Sequence, residues 1–220
     1  MTKQELLDKA HYIQYPLLAG RYNNYDVPNL IKLPVGQSGF MYSKWRGNEG
    51  HFTMEYHRLH TIPLLCKLLN IDYKQDEFTL VEKHFGDNDI SMLHPKNEYR
   101  YEIYGFERNE HFDDLSFDDI ISSDATWKGI TEYHKLYKYA HECSRLINKT
   151  IDTDRILFIS GDSQLIPIIS FLSCFFKEIW YIDNRTGIKL ANKWADTKFT
   201  DVLVEFNNRV KTDYTNKNFQ

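Results

Sequence analysis

Toward the end of the chain, apolar residues come in short unbroken runs: "RILFIS" at 155–160, "EIWYID" at 178–183 and "DVLVEF" at 201–206. Runs of this length without polar alternation predict strands covered on both faces, as in a parallel sheet. Between the first two runs, 164–176 reads as a helix, and Gly161 supplies a sharp turn into it. Strand, tight turn, helix and strand make a βαβ unit, which predicts a three-layer α/β sandwich with a mainly parallel sheet.

Farther upstream the spacing is helical. In 124–149, Trp127, Ile130, Tyr133 or His134, Tyr137, Ala140 or His141, Ser144 and Ile147 form one stripe, with Asp124 as the cap. In 52–70, Tyr56, Leu59, Ile62 or Pro63, Cys66 and Leu69 recur every three to four residues, predicting a helix bent or begun near Pro63. A short helix is expected over 3–19 and a strand over 38–45. The stretch 72–123 is polar and aperiodic, with one strand expected at 98–104, and reads as an insertion or lid. There is no internal repeat or low-complexity tract, so residues 1–220 are taken as one domain.

Composition narrows the function. A formal net charge of −4 with no basic stripe argues against nucleic acid as a partner. Aromatic residues make up 15% of the chain, including fifteen Tyr and four Trp. Such rings suit a packed core and equally the wall of a cleft that grips sugars. Cys66, Cys143 and Cys174 stand far apart in apolar or helical contexts, which predicts buried thiols rather than a disulfide frame or a zinc site. The N-terminal stretch lacks the apolar core of a secretion signal, and the apolar stretch around 164–176 is too short to span a bilayer. The expectation is a cytoplasmic protein, or an extracytoplasmic one if the chain is a domain excised from a longer protein.

Candidate chemistry gathers after the first buried strand. Ser160-Gly161-Asp162-Ser163 lies where ligands collect in parallel sheets, just past a strand's carboxyl end. There Ser163 is either a nucleophile or a hydroxyl that caps the following helix. The logic resembles a nucleophile elbow, although G-x-S-x-G itself is absent. Of the nine histidines, His57, His60, His134 and His141 fall inside the two expected helices. His51 precedes its helix, with Glu49 two residues before it, so one extended segment can deliver carboxylate and imidazole together. An ordinary loop histidine remains the alternative.

Together, "EGHFT" at 49–53 and "FISGDSQ" at 158–164 resemble the SGNH-hydrolase-like acetyltransferase domains of alginate-acetylation proteins and their DHHW relatives. In that group an Asp-x-His-aromatic element precedes the Gly-Asp-Ser element by roughly a hundred residues, an order permuted relative to ordinary GDSL esterases. Asp183 and Arg185 in "FFKEIWYIDNR", and Asp201 and Arg209 in "FTDVLVEFNNR", continue the likeness. Three departures stand out: Glu49 replaces the usual Asp, Phe52 replaces Trp, and no secretion signal is present.

The resemblance implies an SGNH-hydrolase-like (flavodoxin-like) fold and a serine-dependent O-acetyltransferase or esterase acting on a carbohydrate or polysaccharide with a small acyl donor. Ser163 would be the nucleophile, His51 the base and Glu49 the orienting acid. The oxyanion would meet backbone N–H groups at 163 and Gln164, with Asn184 or Arg185; Asp162 would shape the turn. No metal or organic cofactor is implied, and no direct membrane insertion. The rival expectation is a non-catalytic α/β binding or assembly module on the same fold. A nucleotide-binding domain is weaker, since neither G-x-G-x-x-G nor G-x-x-x-x-G-K-[ST] occurs.

Overall fold

The computed structural model describes residues 1–16, 21–35, 52–85, 88–106, 109–122, 143–162, 164–183 and 196–206. Helix α1 (Lys3–Asp8) opens with a capping box: Glu5 N–H donates to Thr2 Oγ1, and Thr2 N–H donates to Glu5 Oε2. It is shorter than expected, because Ala10–Gln14 extends as β1. Strand β2 (Ile31–Lys32) follows.

Helix α2 runs as one rod through an α-turn (Met54–Tyr56), a π-turn (His57–Thr61) and a second α-segment (Ile62–Leu68). It passes through Pro63, and the wide turn sits just before it. Proline has no N–H to donate and crowds the carbonyl four residues back, so the helix loosens upstream instead of breaking.

The stretch 72–123 builds more than the one strand expected. After a 3-10 turn (Gln75–Glu77), β3 (Phe78–Phe85) and β4 (Asn88–Pro95) pair antiparallel as a separate two-stranded sheet. Strands β5 (Arg100–Gly105) and β6 (Glu110–Ser116) join the main sheet and lead into α3 (Phe117–Ser122).

Most of the expected helix over 124–149 lies outside the described residues, but its last turn is overturned. Ser144–Asn148 is strand β7. Ser144, Leu146 and Asn148 are buried while Arg145 and Ile147 are half-exposed, the period of two that a strand requires.

The three apolar runs are strands as predicted: β8 (Ile156–Gly161), β9 (Glu178–Asp183) and β10 (Asp201–Phe206), with α4 (Ile166–Leu172) between the first two. The main sheet has the order β2-β1-β10-β8-β9-β7-β5-β6. Pairings from β2 to β9 are parallel, and those from β9 to β6 are antiparallel.

Alternate residues separate two apolar layers. Ile13, Leu157, Ile159, Ile179, Tyr181 and Leu203 face α2 and α4, whose Ile62, Leu65, Ile169 and Leu172 complete that core. Phe158, Trp180, Ile182, Val202 and Val204 face the other way, with Leu6 of α1. The architecture is therefore the expected α/β sandwich on a mainly parallel sheet. Among the described residues no helix is long and apolar enough to cross a membrane.

Candidate functional site

All the parallel strands end on the same edge of the sheet. From β8 the chain goes through α4 to β9 on one side, then returns to β10 on the other side of β8. The carboxyl end of β8 is thus a point where strand order reverses, where open α/β sheets bind ligands. Polar side chains gather there although nearly everything below them is apolar. Gln14 ends β1, Asp183 ends β9, Glu205 is the penultimate residue of β10, and Asp162 follows β8; each is at most 1% exposed.

Gly161 and Asp162 form a tightly held turn. Asp162 N–H donates to Glu205 Oε2 at 2.8 Å, and Asp162 Oδ1 accepts from Gln164 N–H at 2.7 Å. The second bond is an Asx-turn, which gives Asp162 the turn-shaping role expected of it. Tyr181 Oη–H donates to the Asp162 carbonyl at 3.2 Å. A side chain at Gly161 would force its neighbours to shift: a Cβ would stand 2.7 Å from Leu165 Cδ1 and 3.0 Å from Glu205 Oε2.

The helix follows this Asx-turn. α4 starts at Ile166 rather than 164, is seven residues long, and has at its N-cap Leu165, which makes no side-chain cap bond. The expected helix-terminus electrostatics are correspondingly weaker than a long helix would supply.

Opposite this turn stands the start of α2. Thr53 caps it, accepting from Tyr56 N–H at 3.1 Å, which explains the small polar residue between the aromatic and the helix. Phe52 N–H donates to Gln164 Oε1 at 3.2 Å, a buried bond between positions 112 apart in sequence.

The Phe52 ring stacks with Tyr15, at 4.9 Å, and with Tyr56, at 4.4 Å. His57 meets Tyr15 edge-on at 5.9 Å and shares a hydrogen bond with Thr61 Oγ1 at 3.2 Å. Burial first, and then the Glu205 carboxylate, push the Tyr15 phenol well above its ordinary pKa. Tyr15, just past β1, thus packs against the start of α2.

Of the six site residues expected from sequence, Gln164 is described; Glu49, His51, Ser163, Asn184 and Arg185 lie outside the described residues. The backbone N–H of Gln164, expected to face an oxyanion, is engaged with Asp162 Oδ1 here, and its side chain holds Phe52. Glu205 was missed. Its signal is plain in "DVLVEF": a carboxylate between covered apolar residues of a strand is the informative kind of residue. Among the described residues no three His, Cys, Asp or Glu side chains are arranged to hold a metal ion.

No family model and no curated protein matches the chain. Solved structures do. Bacillus cereus PatB1 with a sulfonyl adduct superposes with a TM-score of 0.62 at 13% identity, covering 92% of this chain and 83% of that one. A second PatB1 structure gives 0.63 at 13%, over 93% and 85%. A DHHW family protein from Eubacterium siraeum gives 0.63 at 14%, over 93% and 80%. At the level of fold, this chain is similar to PatB1 and to the DHHW family protein, and DHHW proteins are among the relatives that "EGHFT" and "FISGDSQ" resemble.

Proposed function

We propose that this chain is a serine-dependent acyl-transfer enzyme acting on a carbohydrate, as a polysaccharide O-acetyltransferase or acetylesterase. The observation that carries the reading is the buried bond from Phe52 N–H to Gln164 Oε1. It joins the residue after His51 to the residue after Ser163. Consecutive Cα atoms are about 3.8 Å apart, so this bond supports bringing imidazole and hydroxyl within mutual reach. The placement of the Gly161–Asp162 turn at the sheet's switch point supports the same reading, and the cap alternative finds Leu165, not a hydroxyl, at the N-cap of α4.

In this reading His51 takes the proton of Ser163 Oγ while Glu49 holds the imidazole in the useful tautomer. Oγ attacks the acyl carbonyl, and backbone N–H at 163, with Asn184 or Arg185, meets the oxyanion. The leaving group departs with the proton from His51, giving an acyl-serine. A sugar hydroxyl, or water, then attacks the acyl carbon, returning its proton through His51 and freeing Ser163.

One structural neighbour carries a sulfonyl adduct. Sulfonylating reagents trap activated nucleophiles, which recommends such a reagent here. Treatment with a sulfonyl fluoride should add one label to Ser163 by peptide mass mapping. Ser163→Ala and His51→Ala should each lower 4-nitrophenyl acetate hydrolysis by about a hundredfold or more. Equal behaviour of all three proteins, with no adduct, would instead make the chain a non-catalytic α/β binding module.

A further inference from the structure

We infer that Glu205 is a positioning residue for the turn that carries Ser163, an inference that rests on the acyl-transfer reading above. Glu205 is wholly buried in the last parallel strand, on the face toward α2 and α4, and a carboxylate taken out of water is costly unless its acceptor sites are used.

One oxygen is used in a specific way. Oε2 accepts from Asp162 N–H at 2.8 Å, so the carboxylate grips the peptide between Gly161 and Asp162. A backbone N–H held by a carboxylate is bound about twice as strongly as one held by a neutral acceptor. The grip comes from the sheet below the turn. Asp162 passes it on, fixing Gln164 N–H through Oδ1, while Gln164 Oε1 holds Phe52 N–H. Glu205, Asp162, Gln164 and Phe52 form a relay from β10 to the start of α2, and in sequence Asp162 and Gln164 are the two neighbours of Ser163.

The fit is close enough to demand the right length of side chain. Oε2 stands 3.0 Å from where a Cβ on Gly161 would be, so glycine is what lets the carboxylate reach the peptide. The main requirement is therefore reach: an acceptor oxygen two methylenes out from the Cα of residue 205. Glutamine meets that requirement and aspartate does not, although aspartate keeps the charge.

Glu205→Gln, Glu205→Asp and wild type should be compared by 4-nitrophenyl acetate kinetics, by the rate of Ser163 sulfonylation and by thermal melting. Glu205→Gln should keep kcat within about threefold. Glu205→Asp should lose about tenfold or more in kcat and in labelling rate with KM changed by less than about threefold, as when a reacting group is misplaced without loss of binding. Both variants should still melt cooperatively above the assay temperature. Equal rates in all three proteins, a greater loss in Glu205→Gln than in Glu205→Asp, or a loss that merely follows the folded fraction would each overturn the positioning role. If wild type shows neither hydrolysis nor a Ser163 adduct, the acyl-transfer reading falls and this inference with it, an outcome distinct from the others.

Discussion

The two halves of the sheet solve burial differently. In β8, β9 and β10 nearly every residue is buried, on both faces. In β5 and β7 buried and half-exposed residues alternate, and β6 has only half-exposed and exposed ones. Parallel strands with helices packed on them have no wet face, so polar chemistry can emerge only at their ends. That is where Asp162, Asp183 and Glu205 sit. The antiparallel half has a wet face and spends its charges there: Arg100 with Asp114, Lys149 with Asp113, and His111 with Glu102. Charge marks a candidate site in the first half and ordinary surface in the second.

A paired cavity experiment tests this contrast most severely. Ile159, wholly buried in β8, and Ile147, half-exposed in β7 and outside both apolar layers, are the same residue in the two settings. Ile159→Ala should cost about 2–5 kcal/mol by chemical denaturation, the range for a deep apolar truncation. Ile147→Ala should cost about 1 kcal/mol or less, because little area leaves water there. Similar costs would mean that the antiparallel half is as closely covered as the parallel one.

The seam between the halves predicts a smaller effect. Arg145 on β7 pairs with Glu178 on β9 through two bonds, Nε to Oε1 at 2.6 Å and Nη2 to Oε2 at 2.8 Å. Its guanidinium also lies over the rings of Tyr104, at 5.7 Å, and Trp180, at 5.4 Å. The Arg145 side chain keeps 35% of its exposure, so solvent screens the pair, and Arg145→Ala should cost about 1 kcal/mol. Lysine at 145 should not restore it, since a point charge cannot make the two-pronged contact. Full rescue by lysine would reduce the seam to simple charge pairing.

The same contrast explains what could be read from residues alone. The unbroken runs in β8, β9 and β10 announce buried parallel strands, and their order already implies the α/β class. β7 misled because Ser144 and Ile147 also fit a helical stripe continued from upstream, and five residues are too few to separate period two from 3.6. β6 resisted reading because Asp114, at φ 57°, and a register shift in its pairing with β5 interrupt the alternation. α4 starts at Ile166, two residues later than expected, after a turn in which Asp162 Oδ1 accepts from Gln164 N–H. At the candidate site, the Gly-Asp turn was legible as local chemistry. The Phe52–Gln164 bond was not, since a contact between residues so distant in the chain leaves no mark in either neighbourhood. Glu205 was legible in principle, as a carboxylate flanked by covered apolar residues, but it was not singled out.

The smallest expected effect separates the inner face from the outer one by pH. On the inner side, burial pushes the Cys66 thiol up to about 11 and the Cys174 thiol up to about 12, and it raises the phenols of Tyr15 and Tyr101. The folded state therefore holds protons that the unfolded chain gives up first. This stability is complete below the ordinary thiol value of about 8.5 and is lost as pH rises through 11 and 12. On the outer side the shifts run downward. The Tyr104 hydroxyl and then His111 lower Glu102, Lys149 lowers Asp113, and Arg100 lowers Asp114. Their contribution is complete above the ordinary carboxylate values of about 4 and fades as pH falls through the lowered ones. These carboxylates are exposed, so salt should weaken the acid arm, whereas buried thiols and phenols feel little of it. Melting temperature measured from pH 3 to 11 in low salt and in 1 M sodium chloride should show a shallow acid fall that shrinks in salt. The fall above about pH 9 should be steeper and should persist. An alkaline arm that salt abolishes would mean that surface charge, and not the buried groups beneath α2 and α4, governs stability at high pH.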